Sequence, residues 1–440
     1  MRFDSHSTQI ISSKPPISAS THPNMIQSNP VISSSGLKID GCRLSQSISQ
    51  LAEIGCLDDG SIRRIAFSPE DIAARQWVIG CMQEAGMTVR IDPAGNIIGR
   101  YPGKNPNLPA LATGSHIDTV PTGGCFDGTL GVLAGIEIAR TLKANGLQFE
   151  HPFETIVFTD EENSIFGSKA MAGRINPNPD YYRRSDGTSI ETCLTAIGGD
   201  WSRVKEAQRQ PGEIKAFVEL HVEQGPVLET VGKPIGIVAG IVAQRRYILT
   251  VIGRSSHAGT TPMTMRQDAL VAASRFVLAV NELGLAYDPL VATVGSLTVF
   301  PNAPNVIASR VELSIDLRDM SDLRVETITM ELQKRSATIA GETQTQFEWK
   351  QVLTTAAAPA TVSIQQTIAK ACQNRGLETF YLPSRAGHDA QDMAAIAEMG
   401  MIFVPSVGGI SHSKSEYTTP QQCEQGANVL LETLLLLDCQ

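Results

Sequence analysis

The alternation of apolar and polar positions divides the chain into three stretches. From about Gly36 to Gly240, helical and strand-like segments take turns. "SPEDIAARQWVIGCMQEAG" opens at Ser68, carries acidic residues in its first turn and stops at Gly86, which predicts a capped helix. "TVRIDPAGNIIGRY" reads as a hairpin turning at Pro93-Ala94-Gly95. The apolar runs in "ALATGSHID" and "TIVFTDEE" read as strands that end on polar residues, and "GTLGVLAGIEIARTLKANG" between them as a helix closed by Asn145-Gly146. Strands separated by helices of this length predict an α/β fold with a mainly parallel sheet, whose functional residues gather beyond the carboxyl ends of the strands.

From Ala243 to about Ala357 the pattern changes. "RRYILTVIG" is a strand, and "DALVAASRFVLAVNEL" places Ala269, Ala272, Ala273, Phe276, Val280 and Leu283 on one helical face. Two strands follow, then a helix from about Asp322 to Ile339, then the strand "QTQFEWKQVL". This β-α-β-β-α-β order predicts a ferredoxin-like unit at 243–356, inserted into a larger domain made of 37–242 and 357–440. Residues 1–36, rich in Ser, Pro and Asn, read as a disordered tail.

Composition narrows the function. A formal charge of -9 and a pI near 5.5, with no Lys/Arg-rich run, exclude a nucleic-acid partner. Apolar runs such as "IGIVAGIVA" fall short of the roughly 20 residues of a membrane span, so no membrane partner is expected. The 8 cysteines are scattered without a Cys-x-x-Cys pair, which points to reduced thiols in a cytoplasmic protein. A metal would have to use histidine and carboxylate ligands.

Of the 8 histidines, His6 and His22 lie in the tail and His151 has no distinctive setting. His116, His221, His257, His388 and His412 sit in polar, Gly-rich contexts at strand ends or loops. "GSHIDTVPTGGCFDGTLG" joins His116, Asp118 and Asp127: a neutral imidazole, a carboxylate placed to orient it, and a carboxylate able to bridge two divalent ions. A helix cap at Asp127 is the plain alternative. "VELHVEQGPVLE" puts Glu219, His221 and Glu223 on one strand face, for which a solvated edge strand is the alternative. "ETIVFTDEENSIFG" sets Asp160, Glu161 and Glu162 side by side, a repulsion that nearby cations would relieve. Together these residues suit a hydrolytic two-metal site with a spare carboxylate as general base.

Eight motifs in order, "GSHIDTVPTGGCFDG", "TDEE", "ELHVEQGPVLE", "SSHAGTTPM", "PNAPNV", "DLRD", "AGHDAQDMA" and "GGISHS", make the chain resemble the amidase/hydantoinase-carbamoylase family. That family is a branch of the dizinc aminoacylase-carboxypeptidase clan. Its members hydrolyse N-carbamoyl-L-amino acids, allantoate and related ureido acids. The short interval from His116 to Asp127, and histidine at 221, fit this branch and not its peptidase relatives. The resemblance implies a catalytic α/β domain with an inserted lid that forms a homodimer interface. It also implies two divalent ions per subunit, zinc first and manganese, cobalt or nickel as alternatives. His116, Asp127 and His221 would hold one ion, and Asp127, Glu162 and His412 the other. Glu161 would be the general base. His257 would reach a neighbouring active site and stabilise the oxyanion. Asn305 and Arg318 would hold the substrate's carboxylate, Gln224 and Arg245 would add contacts, and Gly387 with His388 would line the pocket. The implied reaction removes a carbamoyl group from an N-carbamoyl-L-amino acid. Allantoate or another ureido acid is the main alternative substrate; an aminoacylase, a dipeptidase or a non-catalytic metal-binding protein is less favoured.

Overall fold

Two sheets organise residues 36–440, the part of the chain that the computed structural model describes; the predicted tail falls outside the described residues except for Gly36. The strands are β1 (Thr88–Ile91), β2 (Ile97–Tyr101), β3 (Ala110–His116), β4 (Phe153–Phe158), β5 (Ile214–Val222), β6 (Ile235–Ile241), β7 (Ala243–Ile252), β8 (Val291–Phe300), β9 (Arg310–Asp319), β10 (Gln346–Thr355), β11 (Ala358–Pro359), β12 (Thr379–Ser384) and β13 (Glu398–Val404). The larger sheet runs β1-β2-β4-β3-β5-β13-β6-β11, with β12 paired to β6. Its centre, β4-β3-β5-β13, is parallel, while the β1-β2 hairpin is antiparallel. β3 and β4 are buried along their whole length, as a parallel sheet covered on both faces requires. The helices Thr129–Ala144 and Pro420–Asp438 pack against these central strands. The α/β class and the mainly parallel sheet expected from the sequence are those observed.

Local signals explain the supporting elements. Ser68 accepts the Asp71 N–H at the start of the helix Pro69–Glu84, with Pro69 in its first turn. The helix Pro420–Asp438 begins with a capping box in which Thr419 and Gln422 satisfy each other's main chain.

The smaller sheet has the order β10-β7-β9-β8, antiparallel throughout, within residues 243–355. The helix Ala269–Ala286 is apolar and long enough to pass for a membrane span, yet its buried face, including Phe276, Val280 and Leu283, joins Leu249, Val251 and Leu313 of the sheet in one core. The helix Asp322–Thr343 is one turn longer than expected and ends where Gln344 turns left-handed. Both helices bury one face of this sheet. On β7, Ala243, Arg245, Tyr247, Leu249 and Val251 are buried, while Gln244 and Arg246, of opposite parity, are not.

Candidate active site

The parallel register of the central strands assembles the site. His116 at the end of β3 pairs with Phe158 at the end of β4, so the Asp127 loop and the Asp160–Glu162 turn leave the sheet side by side. His221 near the end of β5 pairs with Phe403 of β13, whose following loop delivers His412. β5 therefore lies in the middle of the sheet, which removes the edge-strand explanation for Glu219 and His221. Asp127 does not cap a helix either: Gly128 is the N-cap and contributes no side-chain bond. Gly128 has φ 64°, and a Cβ there would meet the His116 ring at 2.5 Å, so only glycine lets the chain turn this close to the imidazole.

Asp127 is the centre of the cluster. Its Oδ1 lies 3.2 Å from His221 Nε2 and 3.7 Å from His116 Nε2. Its Oδ2 lies 3.2 Å from His412 Nε2, which is 3.6 Å from Glu162 Oε2. One carboxylate thus offers one oxygen to each of two ligand sets, His116-Asp127-His221 and Asp127-Glu162-His412, in each of which the donor atoms lie within 4.8 Å of one another. The Nδ1 atoms of His116 and His221 sit 2.9 Å from the main-chain oxygens of Asp118 and Val222. A ring N–H given to those carbonyls leaves the Nε2 lone pair directed at Asp127, the tautomer a metal ligand needs. A third group, Glu219, His221 and His388, is equally close. There, Glu219 already accepts the Ser115 hydroxyl at 2.7 Å and the Ala390 N–H at 3.0 Å, and His388 Nε2 lies 2.8 Å from Ser384 Oγ.

Charge supports the same reading. Burial raises the Glu161 carboxyl well above its ordinary range, and Asp389, Glu162 and Asp118 reinforce this against the opposing influence of His116. Burial pushes Asp118 up to about 7. Burial also acts to raise Asp127, but the imidazoles of His116, His221 and His412 around it outweigh burial and hold that carboxyl well below its usual value. Keeping so many buried carboxylates ionised requires local positive charge, and nitrogen and oxygen donors in two sets around a shared carboxylate fit a pair of zinc-class cations.

Other residues hold these groups in place. Glu416 Oε1 accepts the N–H groups of Phe126 and Asp127, both at 3.0 Å, and its Oε2 accepts the Ser411 hydroxyl at 2.8 Å, joining the Asp127 turn to the His412 loop. The Asp118 carboxylate lies 3.8 Å from His116 Nδ1, so its main-chain carbonyl, and not its side chain, orients the imidazole. The side chain instead accepts the N–H groups of Glu161 at 3.3 Å and Glu162 at 3.2 Å. Glu223 faces away and caps Val227 and Leu228.

Asp160, whose part the sequence left open, is buried with φ 54° and accepts Arg184 Nη1 at 2.8 Å and the Ser164 hydroxyl at 2.5 Å. The residues before Arg184, namely Tyr181, Tyr182 and Arg183, line the cavity above the site. Asp160 therefore ties the Glu161–Glu162 turn to a cavity wall. Arg184→Gln, which strands a buried carboxylate, is expected to lower the unfolding free energy by about 3 kcal/mol in guanidinium titrations. A change below about 1 kcal/mol would show that the pair does not hold the two segments together. Ile165, Gln224 and His412 also line this cavity at positive φ, a clustering of backbone strain typical of functional sites.

The cavity has a volume of about 480 Å³. The two ligand sets and Glu161 line one side, and Gln244, Arg246 and Arg318 of the smaller sheet line another, with Gly387 and His388 between. Gln224 donates to Asp127 Oδ2 at 2.9 Å. Arg245, expected as a substrate contact, turns the other way: it donates to the Thr355 carbonyl at 2.7 Å and pairs with Asp322 at 3.1 Å. Strand period two is the reason, and Gln244 and Arg246 take the positions facing the cavity. Counting parity from Arg318 would have found Arg246; nothing in the sequence marked Glu416. His257 and Asn305 are exposed neighbours, with the Ala258 N–H donating to the Asn305 carbonyl at 3.0 Å, and neither lines this cavity.

Comparison with known proteins places these residues in context. The sequence profile of peptidase family M20/M25/M40 matches residues 112–436. The chain is 40% identical over 401 residues to an N-carbamoyl-L-amino acid amidohydrolase of Geobacillus stearothermophilus, covering 90% of this chain and 98% of that protein. It is 35% identical over 417 residues to a ureidoglycolate hydrolase of Arabidopsis thaliana, covering 92% and 88%. A crystal structure of an amidase of the hydantoinase/carbamoylase family from Burkholderia multivorans aligns with a TM-score of 0.86 at 37% identity, covering 92% of this chain and 99% of that one.

Proposed function

The chain belongs to peptidase family M20/M25/M40, and on that premise we propose that it hydrolyses N-carbamoyl-L-amino acids to the amino acid, carbon dioxide and ammonia. It is an amidohydrolase of the carbamoyl-amino-acid or allantoate type in a metal-dependent family. The observation that carries the reading is the division of Asp127 between two ligand sets, with Glu161 beside them but in neither.

Two divalent ions, zinc first, would be held by His116, Asp127, Glu162, His221 and His412; when bound they supply Lewis acidity and lower the pKa of water. Glu161, whose Oε2 is 3.6 Å from His116 Nε2, takes the proton from the attacking water and returns it to the departing nitrogen. Arg318, whose Nε and Nη2 donate to Asp316 in this structure, would turn its planar fork to the substrate's carboxylate, and Gln224, Gly387 and His388 shape the wall. We assign 37–242 and 357–440 to catalysis and 243–356 to a lid through which two copies pair. His257 and Asn305, exposed together off the cavity, would then serve the partner's site. All 8 cysteines are free, in keeping with the reducing cytoplasm.

Similarity to ureidoglycolate hydrolase and allantoate deiminase supports a second reading in which one of those ureido acids is the substrate. Ammonia release from N-carbamoyl-L-amino acids, allantoate and ureidoglycolate, after chelation and addition of zinc, manganese, cobalt or nickel, separates the readings. The first expects activity on N-carbamoyl amino acids only once metal is restored. Turnover of allantoate or ureidoglycolate alone would favour the second. Silence on every substrate, in protein holding two ions per chain, would mark a binding protein.

A further inference from the structure

The cavity wall opposite the two ligand sets carries charge that a simple ureido acid does not use. On β7 and β9 the wall residues pair across strands, Gln244 with Arg318 and Arg246 with Asp316. Asp316 accepts from all three neighbours: Gln244 Nε2 at 2.7 Å, Arg246 Nη2 at 2.8 Å and Arg318 Nε at 2.8 Å. Two guanidinium groups share one carboxylate, so this patch retains one net positive charge.

Lys169 lines the same cavity from the larger domain. Its Nζ donates to the Ser164 carbonyl at 2.8 Å and, among the described residues, has no carboxylate within ion-pair distance. Asp392, the acidic group that feels it, is already paired with Arg174 at 3.2 Å. Arg183, also on the wall, is matched by Asp180. The carboxylates of the cavity, Asp127, Glu161 and Glu162, all belong to the proposed metal and base positions. Once the α-carboxylate at Arg318 offsets the one net positive charge of the Arg246-Arg318-Asp316 patch, Lys169 is left facing the cavity without a carboxylate, and electrostatic complementarity then sets which substrate is accepted.

Resting on the carbamoyl-hydrolase reading, we propose that the substrate is the N-carbamoyl derivative of an acidic amino acid, whose side-chain carboxylate is selected by Lys169, while Arg246, by sharing Asp316, leaves the charge of Arg318 to the α-carboxylate. A larger space of about 750 Å³, lined by Phe380, Tyr381, Leu382 and Pro383 and joined to the cavity at Arg318, would instead suit a bulky apolar side chain.

The test compares kcat/KM for N-carbamoyl-L-aspartate and N-carbamoyl-L-glutamate with N-carbamoyl-L-asparagine and N-carbamoyl-L-glutamine, which have nearly the same shape without the charge, and with N-carbamoyl-L-phenylalanine. The acids should exceed their amides by about tenfold or more, with the advantage shrinking as salt is raised. Lys169→Met should lower the acid-to-amide ratio several-fold, acting mainly through KM, whereas Arg246→Gln, which leaves Asp316 to neutralise Arg318 alone, should raise KM for acids and amides alike. Arg246 is 45% exposed, so its replacement is tolerated by the fold. Amides or the phenylalanine derivative matching the acids, or a ratio unmoved in Lys169→Met, overturns the inference. Failure of the underlying reading looks different: none of the five compounds releases ammonia.

Discussion

Glu161→Gln is expected to lower kcat by about 10²- to 10⁴-fold while the protein keeps the metal content of the unaltered enzyme. Glutamine has almost the same shape and preserves packing in a site where Glu161 is 8% exposed. It removes the one thing Glu161 contributes under this mechanism, an oxygen able to accept and return a proton. Ammonia release and metal analysis on the same preparation decide the matter. Activity within tenfold of the unaltered enzyme would remove Glu161 from proton transfer. Loss of an ion with the activity would make it a ligand, against the two sets in which Glu162 and not Glu161 takes part.

Asp127→Ala should be the most damaging ligand change, because it alone serves both sets. Its loss takes one oxygen from beside His116 and His221 and the other from beside His412. Metal bound per chain is expected to fall from two ions to below one, and turnover to background. Glu162→Ala disturbs only the set shared with His412 and should leave the His116-Asp127-His221 ion bound. Equilibrium dialysis against zinc measures both variants. Bound metal also stabilises the folded chain, by about 2.7 kcal/mol when its free concentration is a hundred times Kd, so added zinc should raise Tm in the unaltered protein and much less in Asp127→Ala. A variant that still holds two ions and keeps the thermal shift would show that Asp127 is not shared.

The Asp118 and Arg245 placements show how far local reading reaches. The spacing of His116 and Asp118 suggested that the Asp118 carboxylate orients the imidazole, whereas the main-chain carbonyl of the same residue is the group in contact, and local spacing does not distinguish the two. The carbonyl and the carboxylate are 2.9 Å and 3.8 Å from Nδ1, and the carboxylate turns out to anchor the Glu161–Glu162 turn. Arg245 and Arg246 are adjacent arginines on one strand, and only the helices covering one face of the sheet determine which of them faces the cavity.

By itself the sequence determined the α/β class, the mainly parallel central sheet, the βαββαβ order of 243–356, the capped helix at Pro69 and the histidines and carboxylates worth watching. These are properties of contiguous residues, because side-chain period, capping and turn chemistry act over a few positions. The tertiary structure decided what depends on chain segments far apart meeting at a fixed register. It brought His116, Asp127, Glu162, His221 and His412 around one carboxylate. It bound Asp160 to Arg184 and set Glu416 against the main chain of Asp127, 289 positions away. Parallel strands joined by crossover helices align at their carboxyl ends whatever lies between them, so the distance along the chain carries no record of which residues will face one another.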